Sequence, residues 1–141
     1  MTDQTLQRGF MSGTALAART AYRTWLGAVL LVEAAAGLAL LVSPLGVSRL
    51  LGLADDTATI WPRLGGVLLL LLVLHMAVGH RQPAAAKALN LLGLVSRALL
   101  GIALLLAGGC FLIPGAVWLV AAAVLAMAYF RHFQAEVMNR P

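Results

Sequence analysis

Four polar side chains interrupt long apolar runs: Glu33, His75, Asn90 and Arg97. A carboxylate kept from water can serve as a general acid or base, and a guanidinium can hold a carboxylate or another anion through two parallel N–H groups. A lone charge at the centre of a bilayer costs about 2.5–3.5 kcal/mol on insertion scales. Glu33 and Arg97 therefore each need a partner or a water-filled cavity. Glu33 lies ten residues past Arg23, and Arg97 lies ten past Lys87. At about 1.5 Å per helical residue both sit about 15 Å from their cation, near the middle of a hydrocarbon core about 30 Å thick. The spacing predicts an ion pair between two helices that run in the same direction. Its simplest role is structural, since polar side chains lock apolar helices into register. The functional alternative is a pocket for a polar head group, a proton or a substrate. His75 and Asn90 fall at neighbouring levels and extend the pair into a candidate ligand or proton track.

Other chemistries find no residues to carry them. There is no HExxH and no carboxylate cluster, so no metal site is expected. No cofactor is indicated. Axial haem ligation needs a second histidine facing His75, and the one candidate at that level, His132, is expected at the surface. The single cysteine, Cys110, forms no CxxC, which argues against thiol–disulfide chemistry. No phosphate-binding loop is present.

The elements that must position these residues follow from composition. The 141 residues are 62% hydrophobic and only 11% charged, with mean hydropathy +0.94. Soluble domains carry about 25% charged residues. The apolar excess is gathered into four runs, near 22–42, 59–79, 86–107 and 111–130, each about as long as the ~20 residues that cross a bilayer. The fold class is thus an all-α membrane protein, a four-transmembrane-helix bundle over 22–131. An N-terminal segment (1–21) precedes it, within which 14–23 is expected to be a short interfacial helix. A polar tail (132–141) follows. The first run is too long, and contains too acidic a residue, to read as a cleaved signal peptide. Between the first two spans, Ser43-Pro44 opens a short amphipathic interfacial helix, with Ser at the N-cap and Pro at N1. Asp55-Asp56-Thr57 then offers a cap for the second span.

The formal net charge is +5, but the cations flank apolar runs and do not cluster with aromatics, so nucleic acid is not a partner. Arg8, Arg19, Arg23, Arg81, Lys87, Arg131 and Arg140 fall on one side, and Arg49 and Arg63 on the other. By the positive-inside rule both termini are cytoplasmic, and the expected location is a bacterial inner membrane. The motif Glu33-Ala-Ala-Ala-Gly37 resembles Arg97-Ala-Leu-Leu-Gly101. Trp61-Pro62 echoes Ile113-Pro114, and Met76-Ala77 echoes Met127-Ala128. These matches suggest two repeated helical hairpins about an axis along the membrane normal.

The segment from Gly37 to Pro44, the Leu50-Leu51-Gly52-Leu53 turn, Arg63-Leu-Gly-Gly66 and Arg97…Gly101 resemble the DoxX-like group of small four-helix bacterial membrane proteins. That resemblance covers 22–130 and implies an inner-membrane bundle, sometimes an accessory to redox enzymes, without implying an activity. Val32-Glu33-Ala34 and Trp61-Pro62 are also similar to small multidrug transporters. The stretch between the first two spans is too long for that family, however, and Arg97 opposes a cationic substrate. The second-span Arg-x-x-His-x-Asn motif of glutathione-dependent four-helix enzymes is missing. Three functions stay open. The first is a binding or accessory module for a small amphipathic or quinone-like ligand, or for a partner subunit or second copy, at Glu33–Arg97. The second is a membrane isomerase or cyclase with Glu33 as acid/base and Arg97 orienting an anion. The third is a proton-coupled exporter using Glu33.

Overall fold

The structure, a computed structural model, describes residues 13–53, 59–83 and 85–138. Among these it consists of helices and short turns, with no strand. Helix α1 spans Gly13–Val42, α2 Pro44–Leu50, α3 Ile60–Arg81, α4 Lys87–Ala107 and α5 Leu112–Met138, with a short 3₁₀ turn at Gly109–Phe111 before α5. The four long helices are each long and apolar enough to cross a membrane. The Asp55-Asp56-Thr57 cap lies outside the described residues, as do Arg8 and Arg140.

Two expected boundaries change. The stretch 14–23 is not a separate helix, because no Gly or Pro interrupts the chain between Gly13 and Gly27 and α1 runs through it for 30 residues. Helix α5 likewise continues beyond 130 to Met138. Its extension is held to α4 by Lys87, whose Nζ lies 3.8 Å from Glu136 Oε1 and 5.3 Å from the centre of the Phe133 ring.

Helix α2 forms where the Ser-Pro signature predicts it, with Pro44 in its first turn. It ends by a left-handed glycine. Gly52 has φ +71°, its N–H donates to the Arg49 carbonyl, and the Leu53 N–H donates to the Ser48 carbonyl, both at 2.9 Å. This 6→1 and 5→2 pattern satisfies carbonyls that the helix end would leave bare.

The long helices form a ring in the order α1, α3, α4, α5, with α1 returning against α5. The parallel helices α1 and α4 stand diagonally opposed, with no Cα pair within 8 Å among the described residues. Within the ring the tightest approaches are α1 on α3 and α4 on α5, and each is made by a glycine pair. A Cβ on Gly66 would lie 2.7 Å from the Gly37 carbonyl oxygen, and one on Gly115 would lie 3.0 Å from that of Gly101. Small residues at such crossings let helix backbones touch, which is how helices gain van der Waals contact where water does not drive association.

One half of the bundle is filled and the other is hollow. Towards the start of α1, Tyr22, Leu26, Leu30, Met76, Leu125 and Tyr129 make one packed core. Towards α2 and the α4–α5 turn lies a cavity of about 780 Å³.

Candidate functional site

Glu33 and Arg97 meet across the diagonal of the bundle. Arg97 Nε donates to Glu33 Oε1 and Arg97 Nη2 to Glu33 Oε2, each at 2.6 Å. Arg97 Nη1 donates at 3.1 Å to the Gly93 carbonyl, one turn earlier on its own helix. This is the two-pronged geometry in which arginine holds a carboxylate most firmly. The pair is sealed, with Arg97 0% and Glu33 1% exposed. The guanidinium needs room, and Gly93 provides it. A Cβ there would strike the Met76 sulfur and come within 3.0 Å of Arg97 Nη1.

Asn90 is also fully buried, 0% exposed. Its Nδ2 donates to the Pro83 carbonyl at 3.1 Å. Its Oδ1 has no hydrogen-bond partner among the described residues and packs against Gly79, where a Cβ could not fit. Asn90 thus fastens the α3–α4 connection from inside. His75 is not part of this interior. It lies on the exposed face of α3, while Gly66, Met76 and Gly79 form the buried face. The track of His75, Asn90, Arg97 and Glu33 is therefore reduced to its last three members.

His132 departs from expectation in the opposite sense. It is 2% exposed, not a surface residue. Its ring stacks on Tyr22 at 6.1 Å and meets Tyr129 edge-on at 6.5 Å. Neither ring nitrogen has a hydrogen-bond partner among the described residues. The extension of α5 carries it inward, a geometry that a span ending at 130 conceals. His75 and His132 do not face one another, so no haem-type pair is formed. No group of three or more His, Cys, Asp or Glu is placed to hold a metal among the described residues.

The cavity begins about one helical turn beyond the ion pair. Ala36 follows Glu33 by three residues on α1, and Leu100 follows Arg97 by three on α4; both line it. Helix α2 contributes Val47 and Ser48 to its wall, α3 contributes Gly65, and α5 contributes Trp118. No charged side chain lines it among the described residues, and neither Glu33 nor Arg97 does. The indole Nε1 of Trp118 is buried and has no hydrogen-bond acceptor among the described residues. An orphaned buried donor costs about 1–3 kcal/mol unless something accepts from it. In the sequence Trp118 is one apolar residue among many in the fourth run. Nothing in its spacing marks the hollow, because the hollow is made by the way four helices diverge.

Fold and site together define a small helical bundle of membrane-crossing type, with a sealed ion pair at its waist and an apolar chamber on one side of it. No family model matches the chain, and neither the curated proteins nor the solved structures compared with it yield a match.

Proposed function

We propose that this chain is a multi-pass bacterial inner-membrane protein that binds a small lipophilic ligand in its central cavity, as a carrier or accessory module. One observation carries the reading: a cavity of about 780 Å³, open on one side, lies between the helices at the α2 end and is walled almost wholly by apolar side chains. That volume falls within the ~300–1,000 Å³ of ordinary ligand pockets. The ion pair then acts as a clamp across the bundle about one turn below the cavity. Acid–base catalysis or proton-coupled export by Glu33 is less well supported, because both carboxylate oxygens are held by Arg97. Either activity would require that pair to open.

The positive-inside rule supports cytoplasmic termini. Arg19, Arg23, Arg81, Lys87 and Arg131 gather at one end of the bundle, against Arg49 and Arg63 at the other. A repeat of α1–α3 in α4–α5 draws support from the glycine crossings. Glu33 and Arg97 each stand four residues before a crossing glycine, and Gly66 and Gly115 each stand four before a leucine that packs on the facing glycine. This register shifts the earlier match of Trp61-Pro62 with Ile113-Pro114 by about one turn. A DoxX-like affinity rests on the sequence motifs alone, and a partner subunit or second copy remains part of the accessory reading.

The test uses Gly65, which lines the cavity and has no atom within 4 Å of an added Cβ. Gly65→Leu starts from a position where a Cβ has open space, projects bulk into the cavity, and replaces a helix-interior glycine that costs about 1 kcal/mol. In nanodiscs, with Trp118 as sole tryptophan (Trp25→Phe, Trp61→Phe), 1-bromodecane should quench fluorescence saturably. Gly65→Leu should weaken that quenching at least about fivefold while leaving the melting temperature equal or higher. Quenching that is linear and identical in both proteins would rule out a binding chamber.

A further inference from the structure

We propose that the outward face of α3 is where two copies of this chain join, with His75 of one copy hydrogen-bonded to His75 of the other. The proposal rests on α3 crossing a bilayer, not on the cavity holding a ligand. His75 is the only polar side chain on α3 between Arg63 and His80. It is exposed, where its neighbour Met76 is buried, and it lines no part of the cavity. It stands six residues before Arg81, about 9 Å along the helix and within the apolar part of the span. Ionisable side chains at such depth almost always face a bundle interior, a watery cavity or one another. Within one chain His75 has neither of the first two, so the third remains. A neutral imidazole carries one N–H donor and one nitrogen acceptor, and its complement is a second imidazole at the same depth. A two-fold axis along the membrane normal puts His75 of both copies at one level, on two parallel α3 helices. The neighbouring residues are spaced for that arrangement. Trp61, Leu64, Leu68, Leu71, His75 and Val78 follow one another at alternating intervals of three and four, the spacing of a seam between parallel helices. All six are exposed in the single chain. One polar residue in such an apolar seam fixes register and the number of partners. Trp61 and Leu68 also line the cavity, so a second α3 on this seam covers one edge of it.

The test uses the full chain reconstituted at low protein-to-lipid ratio in phospholipid vesicles. Copies labelled at Cys110 with a donor or an acceptor dye report association by energy transfer. Its efficiency should rise linearly with the acceptor fraction, as a two-copy assembly requires, and fall as the protein is diluted in lipid. His75→Leu alters an exposed position and should raise the dissociation constant at least about fivefold. His75→Asn keeps a donor and an acceptor and should stay within about twofold of the unaltered chain. Oxidative cross-linking then locates the face. In a Cys110→Ser background, Leu71→Cys should give a disulfide-linked dimer in several times the yield of Leu31→Cys, which is exposed at a similar depth on α1. Absence of energy transfer, an unchanged dissociation constant in His75→Leu, or equal cross-linking at the two positions overturns the proposal. A loss in His75→Asn as deep as in His75→Leu overturns the hydrogen-bonded pairing. None of these outcomes bears on ligand binding, which the quenching of Trp118 reports separately. Release of the unaltered chain from membranes by alkaline carbonate would refute the membrane span on which both readings stand.

Discussion

At the scale of single residues, the ion pair governs more than its two side chains. Arg97 is attached to α4 and Glu33 to α1, which touch nowhere else at backbone level among the described residues. Their bridge is a hydrogen-bonded link across that diagonal. Removing only one partner leaves a buried, unpaired charge, which typically costs about 3–5 kcal/mol, whereas replacing both with apolar residues is often neutral. Glu33→Leu should therefore lower unfolding stability by about 3–5 kcal/mol. Glu33→Leu with Arg97→Met should recover most of the loss, as read by chemical unfolding in detergent. A double variant as unstable as the single one would show that the charges do something the packing cannot replace. The pairing was legible because depth can be counted from the flanking cations. The facing of His75 was not. Helix α3 is apolar nearly all round, so its sequence has little periodicity to tell an inward residue from its neighbour. His75 and Met76 are adjacent, yet about 100° apart round the helix.

Among elements, the glycine crossings determine how close the helices come and so shape the hollow between them. Gly65 and Gly66 are neighbours in sequence with opposite surroundings. A Cβ at 66 would press on the Gly37 carbonyl at 2.7 Å and on Leu40 and Leu41 at 3.1 Å, whereas one at 65 meets nothing within 4 Å. Gly66→Ala should force α1 and α3 apart and destabilise by about 1–3 kcal/mol, the usual range for overpacking. Gly65→Ala should be neutral or stabilising by up to about 1 kcal/mol. Thermal unfolding of the two variants side by side checks the contrast, and equal melting points would mean that α1 and α3 do not meet at Gly66. The apolar runs and the Ser43-Pro44 start of α2 could be read directly, because run length and cap chemistry are local properties. Which of two adjacent glycines makes the crossing could not, since that depends on the partner helix. The same is true of the continuation of α5, whose residues His132 and Glu136 meet Tyr22 and Lys87 on other helices.

For the whole molecule, the filled and hollow halves acquire opposite meanings once the chain is placed in a bilayer. The filled half carries the buried aromatics and His132, and its outer end carries the denser cationic collar, at the starts of α1 and α4 and the ends of α3 and α5. Under the proposed orientation that half faces the cytoplasm. The cavity, with α2 along its wall, then lies in the outer half, where a lipophile would enter from the outer leaflet. Cys110, the chain's single cysteine, tests this without any substitution. It sits in the short turn between α4 and α5, at the α2 end of the bundle, and is partly exposed. If the positive collar is cytoplasmic, Cys110 faces outward. A membrane-impermeant maleimide added to intact spheroplasts should then label the chain to nearly the extent seen after lysis, with Cys110→Ser abolishing the signal. A reporter fused after residue 141 that fluoresces only in the cytoplasm should light up in the same cells. Labelling that requires lysis, together with a dark reporter, would invert the molecule and place the cavity in the inner leaflet. It would leave the ion pair, the glycine crossings and the cavity's own chemistry unchanged, since none of them depends on which side is out.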